Sequence, residues 1–74
     1  MPSLPVISGD EFVQAVESVG YLFDRTRGSH MILYCEGRNP LSVPRHRELD
    51  RGTLRTLIRQ AGLTVDEFVA LLGR

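Results

Sequence analysis

Residues 21–35 of this chain read YLFDRTRGSHMILYC, and the way this stretch folds decides the architecture around it. Aromatic and branched side chains dominate both of its halves, and such residues favour β-strands. A short break containing a glycine, Arg27-Gly28, separates the two halves. The pattern predicts an antiparallel hairpin with strands over residues 21–26 and 29–35.

With Arg27-Gly28 as the loop, antiparallel pairing places Arg25 directly opposite His30 on one face of the hairpin. Directly opposed side chains have Cβ atoms about 4.5–5.5 Å apart, so a guanidinium and an imidazole could contact one phosphate group together. The same register predicts three further pairs, namely Thr26 with Ser29, Phe23 with Ile32, and Leu22 with Leu33.

The second strand alternates between two faces. Met31, Leu33 and Cys35 point one way and are all apolar, whereas His30 heads the opposite face. We therefore expect the apolar face to pack against helices, with Cys35 as an inert core thiol. His30 should then lie on the more open face of the sheet.

Three helices and a third strand are predicted around the hairpin. A capping-box pattern begins the first helix after Ser8, and a second capping box begins a short last helix after Thr64. Between them, Asp50 is a candidate cap for a helix that ends near Gly62. Residues 41–43 form a short strand, placed at the sheet edge because Pro44 lacks an N–H. The expected fold is α+β, a three-stranded antiparallel sheet with helices on one face in the order α-β-β-β-α-α.

Length and composition set limits on function. Seventy-four residues suit a single domain over residues 1–74, and one cysteine cannot form an internal disulfide. One cysteine and two histidines suggest no metal site, and we expect no cofactor. The first residues show no targeting pattern, and nowhere do eighteen apolar residues follow one another. We expect a soluble, cytoplasmic protein without a membrane partner.

The net charge is zero, but its distribution is uneven. Residues 1–24 carry −4, residues 25–59 carry +5, and the remainder carries −1. Four arginines recur every fourth residue, namely Arg47, Arg51, Arg55 and Arg59. The last three form a stripe on the second helix, which is either an ordinary solvated face or a phosphate-binding surface.

His30 is the candidate catalytic residue, with Arg25 and Arg27 as its phosphate-binding neighbours. A lone histidine on a strand is more often a half-buried structural residue, so the arginines carry the argument. His46 is either a second proton carrier, a phosphate contact or a plain loop residue. Ser29 has no neighbouring acid and no G-x-S-x-G context for serine hydrolase chemistry. We count it among the candidate phosphate contacts.

Several motifs in order along the chain resemble one family, the HicA toxins of bacterial toxin–antitoxin modules. They are the helix over residues 8–20 with Gly20-Tyr21, Arg25-x-Arg27-Gly28-Ser29-His30, Val43-Pro44-x-His46, Gly52-Thr53-Leu54-Arg55, and Gln60-Ala61-Gly62-Leu63 followed by Glu67-Phe68. The resemblance implies a fold similar to double-stranded-RNA-binding domains and a ribosome-independent ribonuclease that cleaves mRNA. It also implies that the histidine of Gly28-Ser29-His30 is the key residue, and that a HicB-like antitoxin covers it.

The mechanism that follows is a hypothesis. His30 removes the proton of a ribose 2′-OH, which attacks the adjacent phosphorus, while Arg25, alone or with Arg27, stabilises the phosphoryl oxygens. His46, water or His30 itself must protonate the leaving oxygen, and the lack of a dedicated acid predicts a slow enzyme. Two alternatives stay open, a non-catalytic RNA-binding module and a protein-interaction domain without a nucleic-acid role.

Overall fold

The computed structural model describes residues 4–73, so the expectation about a targeting segment, which rests in part on residues 1–3, falls partly outside the described residues. Six elements follow one another in the predicted order. They are α1 (Gly9–Glu17), β1 (Leu22–Arg27), β2 (His30–Tyr34), β3 (Leu41–Pro44), α2 (Arg51–Gln60) and α3 (Val65–Leu71). The predicted α+β class is confirmed.

The helices begin where the capping patterns placed them. The Ser8 hydroxyl accepts a hydrogen bond from the Glu11 N–H, and the Glu11 carboxylate accepts one from the Ser8 N–H, both at 3.0 Å. The Thr64 hydroxyl and the Glu67 carboxylate make the same reciprocal pair at the start of α3. These contacts satisfy N–H groups that have no partner inside the helix, so short local patterns suffice to determine helix starts.

The three strands form one antiparallel sheet in the order β1-β2-β3. Met31 and Leu33 of β2 pair with Val43 and Leu41 of β3, and all four side chains are buried against the helices. His30 heads the opposite, open face of β2, and its side chain is exposed. The predicted alternation of β2 is therefore confirmed, and β3 lies at a sheet edge as its proline predicted.

The register of the β1–β2 hairpin differs from the prediction. Arg27 pairs with His30, and Arg25 pairs with Ile32, because the loop is Gly28-Ser29 and not Arg27-Gly28. Gly28 has a φ of +61°, and no residue other than glycine has a positive φ among those described. A positive φ at the first of two loop residues is the type II′ arrangement, whose twist matches that of a hairpin. The predicted pairing of Arg25 with His30 is wrong.

The other three predicted pairs are wrong as well. The shifted loop pairs Thr26 with Met31, and a β-bulge at Asp24 changes the register again before Phe23. Phe23 pairs with Leu33 and Leu22 pairs with Tyr34, so that Asp24 is left without a partner between Phe23 and Arg25. An extra residue in one strand reverses the direction of the side chains beyond it. The bulge therefore lets Phe23 share the helix-facing side of the sheet while the arginines of β1 share the open side.

Two residues at the end of the hairpin also differ from expectation. Tyr21, predicted within the first strand, precedes β1 and is fully buried, and its hydroxyl donates to the Asn39 carbonyl at 2.6 Å. Burial is the main cause that raises the pKa of Tyr21. Cys35, predicted within the second strand as an inert core thiol, follows β2, is half-buried and packs against the core near the Val19 carbonyl.

Candidate active site

His30 lies on the open sheet face, at the start of the middle strand and next to the hairpin turn. Arg27 of β1 lies directly opposite it on one side, and Pro44 of β3 pairs with it on the other. The Arg45 N–H donates to the Ser29 carbonyl at 2.8 Å, which extends the pairing of β2 and β3 past the histidine. Backbone hydrogen bonds on both sides thus hold His30 in position while its ring remains exposed.

The two hairpin arginines have different surroundings. Arg27 is the direct cross-strand neighbour of His30, at the Cβ separation of about 4.5–5.5 Å expected for such pairs. Arg25 lies two pairs further along, on the same face and opposite Ile32, and forms an ion pair with Asp24. Hydrogen bonding to the Asp24 carboxylate, and then to Tyr34, raises the pKa of Arg25. Arg27 therefore holds the place that the sequence assigned to Arg25.

Two depressions meet at His30. The hairpin groove has a volume of 340 Å³ and is lined by Arg27, His30, Ile32 and Ser42. The α2 groove has a volume of 590 Å³ and runs between the open sheet face and one flank of α2. Its lining residues are His30, Ser42, Pro44, Gly52, Thr53, Thr56, Leu57 and Gln60. His30 and Ser42 belong to both grooves.

The buried side chains of α2 fix the orientation of the helix and so determine which of its flanks forms the wall of the groove. Leu54, Leu57 and Ile58 are buried, and this anchors the helix beside the sheet. The Asp50 carboxylate caps the helix, accepting from both the N–H and the hydroxyl of Thr53 at 2.8 Å. The hydrogen bond from the Thr53 N–H is the largest cause of the lowered pKa of Asp50.

The predicted arginine stripe lies on a different side of α2. Arg51, Arg55 and Arg59 are all exposed, and none of them lines either groove. Successive helical residues are rotated by about 100°, so Arg55 and Thr56 point in clearly different directions. Arg47 is an exposed loop residue that precedes the helix. None of the four arginines therefore shares a groove with the histidine.

His46 and Ser29 lie near the site without lining it. His46 is exposed in the loop after β3, and its carbonyl accepts the Gly9 N–H at 2.9 Å. Its imidazole is among the lesser causes that lower the pKa of Asp50. Ser29 is exposed in the hairpin turn, and its backbone carbonyl accepts the hydrogen bond from the Arg45 N–H. Neither side chain belongs to the linings of the two grooves.

Sequence reasoning missed the uncharged polar side chains of the grooves. Thr53, Thr56 and Gln60 recur at helical spacing between the apolar face of α2 and its arginine stripe. That neutral polar stripe was a usable signal, because exposed helix positions elsewhere in α2 carry charge. Ser42 gave no local signal, since only the pairing of β3 with β2 brings it beside Ile32.

Two general features of the described residues bear on what the site could hold. Between residues 4 and 73, no group of three His, Cys, Asp or Glu side chains is placed to hold a metal ion. Within that same range, no helix has the length and apolar character needed to cross a membrane.

Comparisons with known proteins agree with this fold. A family model described as the HicA toxin of bacterial toxin–antitoxin systems matches residues 9–63. Among solved structures, a chain of a toxin–antitoxin complex from Streptococcus pneumoniae superposes with a TM-score of 0.70 at 31% identity, covering 77% of this chain and 98% of that one. No curated protein matches. The three-stranded sheet with its helices is the double-stranded-RNA-binding-domain-like fold that HicA toxins share. The chain belongs to the HicA toxin family.

Proposed function

We propose that this toxin is a metal-independent endoribonuclease that cleaves mRNA through His30. One observation carries the proposal, the exposed His30 directly opposite Arg27 at the meeting point of two grooves. Histidine can accept and release a proton near neutral pH, and arginine matches the geometry of a phosphate. A substrate of this kind would place the toxin in the cytoplasm.

The proposed reaction begins with a neutral His30. The imidazole accepts the proton of a ribose 2′-OH, and the 2′-oxygen forms a bond to the adjacent phosphorus. The bond from phosphorus to the 5′-oxygen then breaks, which leaves a 2′,3′-cyclic phosphate and a 5′-hydroxyl end. Arg27 stabilises the charge that develops on the phosphoryl oxygens, the role that the sequence assigned to Arg25.

The proton for the leaving 5′-oxygen has no dedicated donor among the residues that line the grooves. Arginine is a poor acid with a pKa above about 12, and His46 does not line either groove. Water or the protonated His30 therefore completes the step. Because general acid catalysis contributes about 10²–10⁴-fold to rates, its absence predicts slow turnover.

The remaining arginines supply affinity. Arg25, Arg47, Arg51, Arg55 and Arg59 are exposed and can bind RNA phosphates away from the cleaved bond. Ser29 and His46 complete the proposed set of RNA contacts. In this assignment the arginine stripe of α2 provides salt-dependent RNA binding, whereas His30 and Arg27 of the hairpin carry out the cleavage.

The proposed partner is a HicB-like antitoxin that covers His30. The open sheet face that carries the histidine is apolar at its far end, because Leu22 is 73% exposed and pairs with Tyr34, which is 45% exposed. Exposed apolar side chains that lie together are typical of protein-interaction surfaces. The similar chain comes from a toxin–antitoxin complex, which further supports such a partner.

The test incubates the protein with a single-stranded RNA and with its DNA counterpart in EDTA, beside a His30→Ala variant. We expect cleavage of RNA only, with cyclic phosphate ends, and none by the variant. RNA affinity should stay within about twofold, since one neutral side chain contributes little to phosphate binding. Cleavage of DNA at a comparable rate would contradict the 2′-OH mechanism. If neither protein cuts and both bind RNA with strong salt dependence, the chain is a non-catalytic RNA-binding module.

A further inference from the structure

We infer that the α2 groove binds the nucleoside on the 5′ side of the cleaved phosphate, and that Thr56 and Gln60 select its base. This inference rests on the proposed ribonuclease function and adds a direction for the RNA and a pair of specificity-determining residues. It follows from the different linings of the two grooves and from the position of His30 between them.

The direction follows from the chemistry at the junction. The hairpin groove contains Arg27, whereas neither an arginine nor a carboxylate lines the α2 groove. A phosphate therefore fits on the Arg27 side, and a ribose with its base fits on the α2 side. The attacking 2′-OH belongs to the nucleotide 5′ of the phosphate, so that ribose must reach His30 from the α2 groove.

The α2 groove has the size and surface for one nucleoside. Its volume of 590 Å³ lies within the range of about 300–1,000 Å³ that small-molecule sites occupy. Pro44 and Leu57 supply apolar surface on which a base can rest, and polar side chains line the helix side. Bases of single-stranded RNA are read in this way, by contact with the ring faces and hydrogen bonds to their edges.

Thr56 and Gln60 are the polar residues of α2 that line the groove without a structural task. Within residues 4–73, neither side chain makes a hydrogen bond, whereas the Thr53 hydroxyl is already bound to Asp50. The Asn39 side-chain amide donates to the Gln60 backbone carbonyl at 3.3 Å. This contact does not involve the side-chain amide of Gln60, which is available to a ligand. An amide offers two donors and an acceptor, a set that can discriminate between base edges.

The helix itself gains nothing from a threonine at this position. Thr56 is exposed in the interior of α2, where alanine would be the better helix former. Thr56→Ala should therefore leave the melting temperature unchanged or raise it. A loss of specificity in this variant would then not be explained by a loss of fold.

The experiment cleaves a random-sequence RNA pool and determines the nucleotides on both sides of each cut. Thr56→Ala and Gln60→Ala should each reduce the preference on the 5′ side by about five- to tenfold, with the 3′ preference unchanged. Gln14→Ala is the matched control, an exposed glutamine on α1 that lines neither groove, and its pattern should equal that of the wild type. Unchanged preferences in both groove variants, or a change confined to the 3′ side, would overturn the inference.

A binding measurement separates this inference from the proposed activity. Gln14 and Gln60 are the two glutamines of the chain, so their side-chain amide signals can be followed by NMR during titration of the His30→Ala variant with a short RNA. We expect the NMR signal of the Gln60 side-chain amide to shift during the titration, and that of Gln14 to remain unchanged. If the wild type fails to cut RNA, the ribonuclease proposal is wrong, and a silent Gln60 signal would overturn the groove assignment as well.

Discussion

The hairpin and α2 both carry arginines, but they present them to different surroundings. Arg27 lies across from the exposed His30 and lines a groove, whereas Arg51, Arg55 and Arg59 project from α2 and line none. All of these side chains carry the same positive charge, so the difference lies in their neighbours. Only Arg27 lies opposite a histidine that can transfer a proton. We infer that a single arginine serves the chemistry and that the stripe serves binding.

The largest effect should come from the arginine beside the histidine. Arg27→Ala should lower the single-turnover rate of RNA cleavage about 100- to 1,000-fold, the usual loss when a donor to a developing negative charge is removed. Arg25→Ala is the matched change. It should lower the same rate less than about tenfold, because Arg25 is held in an ion pair with Asp24. A greater loss from Arg25→Ala than from Arg27→Ala would contradict the assignment of Arg27.

Removing the α2 stripe should affect binding alone. With Arg51, Arg55 and Arg59 all changed to Gln, the slope of log affinity against log salt should fall by about 2, since each phosphate contact contributes about 0.7 on a single strand. The cleavage rate at saturating RNA should stay within about twofold of the wild type. A large loss of that saturated rate would mean that the stripe reaches the reacting phosphate after all.

The hairpin turn offers a smaller test of the same comparison. Gly28 has a φ of +61° and Gly37 a φ of +81°, and an added Cβ would meet nothing within 4 Å at either position. Alanine at each should cost about 1–2 kcal/mol of unfolding free energy, measured by denaturant titration. Only Gly28→Ala should also slow cleavage several-fold, because it disturbs the pairing of Arg27 with His30. Equal activities in the two variants would argue against the turn as the support of the site.

The smallest effect concerns the start of α2. The pKa of Asp50 is lower in the folded protein than in the unfolded chain, where it is about 4. Ionised Asp50 therefore stabilises the folded state above the unfolded-state pKa, and this stabilisation is lost as the pH falls through the folded-state pKa. Asp50→Asn keeps a hydrogen-bond acceptor without the charge, so its melting temperature should fall less steeply between about pH 5 and about pH 2 than that of the wild type. Parallel pH profiles would show that the charge of Asp50 contributes nothing.

The hairpin register shows where sequence reasoning stopped. Placing the loop at Arg27-Gly28 paired Arg25 with His30, although Gly28-Ser29 is itself a recognised two-residue turn with glycine in first position. The error moved the partner of His30 by two residues, which preserves the face, so both arginines still lie on the side of His30. The bulge at Asp24 had no local signal, because it appears only in the pairing of β1 with β2.

The sequence by itself determined the helix starts, the order of the elements and the two faces of β2. Each of these depends on residues only a few positions apart, through caps, turns and alternating apolar side chains. Only the tertiary structure decided that Arg27 faces His30 and that Thr56 and Gln60 line a groove while Arg55 does not. These placements depend on strand register and on how α2 packs beside β3, contacts between residues far apart in the chain that no local pattern records.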